Sequence, residues 1–118
     1  MPAHIAIVHD DPDFLDRIEA ALSGAGDDVR TYCTALAAIN AFDETDPIDV
    51  LITRMRFPPG ESNGLSLALI ARRQNPHIKI VFIAAAEFAE DVADLGTLLP
   101  TTVDIPEILD TIDSLLSR

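Results

Sequence analysis

The chain has 118 residues, enough for one domain and one core that buries roughly two-thirds of the unfolded surface without disulfides or metals. Hydrophobic residues make up 48% of it, which argues against disorder, and no apolar run approaches the roughly 18 residues of a membrane helix. Twenty Asp and Glu against eight Lys and Arg give a formal net charge of −12, a surface that repels phosphate backbones and anionic lipid and so argues against nucleic-acid and membrane binding.

The first strand is expected at His4-Ile5-Ala6-Ile7-Val8, a short, partly β-branched apolar run typical of a buried parallel strand. Asp11 is a good N-cap and Pro12 a good first helical residue. Phe14, Leu15, Ile18 and Leu22 then recur at helical spacing, and Ser23-Gly24-Ala25-Gly26 ends that helix. Val29 to Tyr32 reads as a second strand and Ala35 to Phe42 as a small-residue helix, followed by a loop from Asp43 to Pro47. Ile48 to Thr53, nearly all apolar, reads as a central third strand. Arg54 to Asn63 is irregular, with Pro58, Pro59 and Gly60 inside it.

Gly64 to Gln74 is expected to be helical, with Arg72 and Arg73 answering the negative end of its dipole, and Asn75-Pro76 stops it. Ile78 to Ala84 reads as a fourth strand, Glu87 to Leu95 as a short helix closed by Gly96, and Thr97-Leu98-Leu99 as a brief fifth strand. Asp104 can cap a last helix with Pro106 in its first turn and Ile108, Leu109, Ile112, Leu115 and Leu116 as its buried stripe. Strands alternating with helices argue for an open, doubly wound parallel sheet covered on both faces, as one α/β domain over residues 1–118. In such folds the chemistry sits at the carboxyl ends of the strands.

The residues at those ends are His9, Asp10 and Asp11 after the first strand, Arg54 after the third, Ile83 to Ala85 at the fourth, and Pro100 to Thr102 after the fifth. Adjacent carboxylates repel one another and are eased by a cation, so Asp10 and Asp11 could hold Mg²⁺. The alternative is that Asp11 only caps the helix and Asp10 is a solvated loop acid. There is no Gly-rich phosphate loop, nucleophile elbow or HExxH spacing, and no enzymatic activity is expected. Cys33 is the single cysteine, so there is no internal disulfide, which suits a reducing cytoplasm. A lone cysteine is more often a small buried hydrophobe than a nucleophile. His77 is expected to be solvated in its turn and His4 to be structural. Met1-Pro2-Ala3-His4 lacks the basic and apolar regions of a secretion signal.

Taken together, Val8-His9-Asp10-Asp11-Pro12, the run Asp49 to Arg54 with Pro58 four residues on, Asn63-Gly64-Leu65, and Thr101-Thr102-Val103-Asp104 before the last helix resemble a bacterial response-regulator receiver domain of two-component signalling. The resemblance spans the whole chain. It implies a flavodoxin-like sheet of five parallel strands in the order 2-1-3-4-5. It also implies a phosphorelay chemistry: an aspartate ending the third strand accepts a phosphoryl group, an acidic pair after the first strand holds Mg²⁺, and a hydroxyl and a lysine ending the fourth and fifth strands bind the phosphoryl oxygens.

This chain departs from that pattern at nearly every position. Arg54 stands where the phosphoacceptor belongs, and arginine keeps its proton near neutrality and is no acceptor. If Pro59 rather than Pro58 is the anchor, the position shifts to Met55, which is no better. His9 replaces the first acid of the pair, Ile83 replaces the hydroxyl, and Thr101 replaces the lysine. The stretch from Ile83 to Thr101 is shorter by about one helical turn, on the face that many receivers use to dimerise or meet partners. The expectation is therefore an atypical pseudo-receiver in which Arg54 pairs with Asp10, or with both Asp10 and Asp11, in place of a metal.

Such a module needs no cofactor. It would act through protein–protein contact, with a histidine kinase, another regulator or an effector as partner, or as a homodimer. No output domain is expected within these 118 residues, which could themselves be a fragment of a larger regulator. Two alternatives stay open: a metal-dependent receiver phosphorylated at a displaced site such as His9, and a small-ligand-binding flavodoxin-like domain. Arg54, Arg56, Arg72 and Arg73 could form a basic patch, and Pro58-Pro59-Gly60-Glu61-Ser62 could be a partner-contact loop.

Overall fold

The computed structural model describes residues 2–42, 47–57 and 63–118. Five strands, β1 (His4–Val8), β2 (Asp28–Tyr32), β3 (Val50–Arg54), β4 (Lys79–Ile83) and β5 (Thr97–Leu99), form one parallel sheet in the order β2-β1-β3-β4-β5. The helices are α1 (Pro12–Gly24), α2 (Ala35–Phe42), α3 (Gly64–Gln74), α4 (Ala89–Val92) and α5 (Ile105–Leu115). This is the doubly wound sheet expected from the alternation of elements, in the flavodoxin-like order that the resemblance implies.

Alternation along the three inner strands divides the core into two layers. Ile5, Ile7, Val50, Ile52, Val81 and Ile83 point to the face covered by α1 and α5, where they meet Leu15, Ile18, Leu22, Ile108 and Ile112. Ala6, Val8, Leu51, Ile80 and Phe82 point to the other face, under Ala38, Phe42, Leu67, Ala68, Ala71 and Val92. Both faces being covered is why these strands read as continuous apolar runs.

The helix ends follow local rules. Asp11 and Asp104 accept from the backbone N–H groups of Asp13 and Glu107, and Asn63 accepts from Ser66, so α1, α5 and α3 are all side-chain capped. At the far end of α1, Gly26 takes φ +93°, its N–H bonds Ser23 O and the N–H of Asp27 bonds Leu22 O. At the end of α5, Ser117 takes φ +57°, its N–H bonds Ser114 O and the N–H of Arg118 bonds Asp113 O. Both are Schellman closures.

Several expectations need correction. The fourth helix does not run from Glu87 to Leu95: a 3₁₀ turn over Ala86–Phe88 leads into a single α-turn, because neither element has a side-chain N-cap and Val92 is their one buried residue. Cys33 is exposed rather than buried, since it follows the edge strand β2 and leaves the sheet with it. Arg72 does not simply answer the dipole of α3. Its Nη2 donates to Leu95 O at 2.6 Å and lies 3.4 Å from Ile78 O, tying α3 to the turn before β5. The loop read at Asp43 to Pro47 falls, except for Pro47, outside the described residues, and so do Pro58 to Ser62, the segment read as a contact loop. No helix is long and apolar enough to cross a membrane among the described residues.

Candidate functional site

The carboxyl edge of the sheet is assembled by register. Val8 lies opposite Thr53, Arg54 opposite Ile83, and Ile83 opposite Leu99. The residues leaving β1 and β3 therefore emerge side by side, although Asp10 and Arg54 are 44 residues apart in the chain. Gly64 holds this edge tight: its N–H donates to Met55 O at 2.8 Å, and a Cβ there would collide with Arg54 O. Only glycine allows α3 to begin so close to the end of β3.

Arg54 Nη1 donates to Asp10 Oδ1. The two side chains are 34% and 32% exposed, so solvent screens the pair only in part. Burial opposes ionisation of Asp10, but the hydrogen bond and positive charge of Arg54 outweigh it and hold the carboxyl below its ordinary value. Asp11 does not join the pair; its Oδ1 accepts from the Asp13 N–H at 3.1 Å, as a helix cap.

His9 is held from three sides. Its backbone N–H donates to Tyr32 O, its ring lies 4.4 Å from the Phe14 ring, and its Nδ1 accepts the Asp11 N–H at 3.0 Å. An Nδ1 that accepts cannot carry a proton, so His9 is the neutral Nε2–H tautomer and its 3.7 Å approach to Asp10 Oδ1 is not an ion pair. Burial lowers the His9 pKa first and the Arg54 charge lowers it further, while Asp10 and Asp11 act in the opposite sense. Among the described residues no three His, Cys, Asp or Glu side chains converge on one point that could hold a metal ion.

Beside Arg54 lies a cavity of about 180 Å³ with Met55, Ile83 and Ala84 in its lining. Arg56 and Phe88 also line it, the guanidinium carbon standing 5.1 Å from the ring centroid, and Thr101 lies at its edge. The structure thus brings Arg54, Ile83 and Thr101 to one place, with Asp10 across the Arg54 side chain. It does not gather the four arginines into a patch: Arg54 serves Asp10, Arg56 faces Phe88 and Glu87, and Arg72 is bonded at the opposite end of α3. His4 is bonded to Asp28 Oδ2 at 2.9 Å, a structural contact, and His77 is exposed in its turn. The roles of Phe14 and of the Arg56–Phe88 contact have no signal in the sequence, because both pairs meet only through tertiary geometry.

No family model matches the chain, and no curated protein sequence does either. Solved structures do match over nearly its whole length. A response regulator receiver protein from Sinorhizobium medicae is 25% identical, with 99% of this chain and 96% of that one covered and a TM-score of 0.87. A response regulator receiver domain protein from Methanospirillum hungatei is 20% identical over 99% and 95% of the two chains, with a TM-score of 0.86. A protein described as adenylate cyclase from Rhodopirellula baltica is 20% identical over 99% and 89%, also with a TM-score of 0.86. The chain has the fold of response-regulator receiver domains.

Proposed function

We propose that the protein is a receiver-type module of two-component signal transduction in which a fixed Arg54–Asp10 ion pair replaces the phosphorylation chemistry, and which signals by binding another protein. The observation that carries this reading is the contact itself: a guanidinium occupies the third-strand end and neutralises the acid that a receiver would use for a metal. The likeness to receivers over the full length of the chain supports the signalling class.

The donor set does not suit Mg²⁺. Hard cations need several free oxygens at one point, but Asp10 is engaged by a cation, Asp11 is spent as a helix cap, and the His9 Nδ1 accepts a backbone N–H. Ile83 offers no hydroxyl and Thr101 no positive charge to a phosphoryl group. The same engagement of the His9 Nδ1, with Arg54 close by, speaks against a displaced acceptor at His9. The module has no catalytic step, and its partner would be a kinase, a second regulator or an effector protein.

Intact mass after incubation with Mg²⁺ and a small-molecule phosphodonor tests this. An unchanged mass, beside an ordinary receiver that gains a phosphoryl group in a parallel reaction, is the expected result. A gain of one phosphoryl group would return the protein to the phosphorelay and overturn the reading.

A further inference from the structure

Charge is distributed unevenly over the helices. Residues 80–117, which include α4, β5 and α5, contain eight Asp and Glu and no Lys or Arg. The helix α1 carries Asp13, Asp16 and Glu19. By contrast α2 and α3 contain no acidic residue at all, and they pack against each other on one face of the sheet. The two large hydrophobic side chains that stand exposed among the described residues are both on this pair, Leu36 on α2 at 64% and Leu69 on α3 at 50%. Ile39 and Ile70 lie half-buried on the same two helices. Asp43, Glu44, Asp46 and Glu61, the acids next to these helices in sequence, lie outside the described residues.

From this segregation we infer that the α2–α3 face is where a second copy of the chain docks, in a two-fold contact centred on Leu36 and Leu69. Two molecules of charge −12 repel each other wherever acids meet acids. Self-contact through α4, β5 and α5 would bring ten acids together, Glu90, Asp91, Glu107, Asp110 and Asp113 from each copy, of which Asp113 is held by Arg118 of its own chain. The helices α2 and α3 bring no acid of their own to such a contact and offer apolar area to bury. A two-fold axis lets the same patch serve both copies. Cationic partners are drawn by the field to the acidic faces instead, which leaves this face to an occupant that is itself acidic elsewhere. This contact does not depend on the chemistry of the Arg54 pocket.

The salt dependence distinguishes this contact from a charge-complementary one. Screening weakens the overall repulsion but not the apolar contact, so the dimer tightens as salt rises from about 50 mM to about 500 mM. Sedimentation velocity over a concentration series reads this directly. Leu36→Glu with Leu69→Glu should weaken the dimer on the order of tenfold or more, because it buries acids at the centre of the contact. Asp110→Lys on α5 should leave the dimer no weaker. Circular dichroism shows whether the exposed-site variants remain folded; should the double variant fail to fold, the single Leu69→Glu serves. A protein that stays monomeric at high salt, a dimer that survives the leucine variants, or one that weakens with salt would overturn the proposal.

Discussion

Arg54 explains more of the site than any other residue. Its guanidinium favours the charged form of Asp10 and disfavours the charged form of His9. Arg54→Ala should therefore raise the pKa of both, Asp10 toward its ordinary 3.8 and His9 toward its ordinary 6.5, in an NMR titration of the two side chains. Failure of either to rise would mean that the pair does not persist in solution. The stability cost should be about 1 kcal/mol or less, because both partners are a third exposed. The sign for His9 comes from its lowered pKa: the neutral ring is the folded form, so its contribution is full above pH 6.5 and is lost as pH falls through the folded value. The place of Arg54 at the end of the third strand is legible in the sequence, and its spacing to Asp49 and Pro58 sets it at the acceptor position only through the resemblance to receivers. The stacking of His9 on Phe14 and the capture of its Nδ1 by a backbone N–H are not, since they depend on how the chain turns after Val8.

At the scale of elements, the α1–α5 layer has a lock of its own. Asp27 and Arg118 are the second residues beyond the C-caps of α1 and α5, and the two Schellman closures present them to each other. Arg118 grips Asp27 with both Nη atoms, at 2.6 and 2.7 Å, while its Nε holds Asp113 at 2.9 Å. The Asp27 side chain is 1% exposed and also accepts the Ala3 N–H. The Arg118 hydrogen bonds, against the opposing effect of burial, hold the Asp27 carboxyl below its ordinary 3.8.

Arg118→Ala should cost about 2 kcal/mol, read from denaturant unfolding, since it strands a buried carboxylate with one remaining donor. The stabilisation from the pair is complete above pH 3.8 and disappears as pH falls through the folded value. The variant should therefore lose less stability than the parent on acidification. Equal stability of parent and variant at neutral pH would show that the clamp contributes nothing. This clamp is invisible in the sequence because its partners are 91 residues apart and neither belongs to a motif. The caps Asp11 and Asp104 are legible, since capping depends on only three or four neighbouring residues. The one-turn α4 is not: Phe88, Val92 and Leu95 recur at helical spacing and all pack on the core, but the run has no side-chain N-cap and Val92 is its one buried residue.

For the whole molecule, the order of elements and their apolar runs already select a doubly wound sheet, because buried parallel strands and amphipathic helices leave few other arrangements. Strand order is legible only through the resemblance to receivers, and the meeting of Arg54 with Asp10 follows once β1 and β3 lie side by side and end at one edge. The functional consequence is a receiver fold whose pocket is closed internally by its own cation. Amide chemical shifts of Asp10 and Asp11 during titration with Mg²⁺, against a matched titration with Na⁺, test this claim most directly. The account predicts no saturable Mg²⁺-specific shift in the parent and the gain of one in Arg54→Asp, which removes the cation and adds a carboxylate beside Asp10. A saturable Mg²⁺ shift at Asp10 in the parent would contradict it, since the guanidinium and the metal cannot hold the same carboxylate.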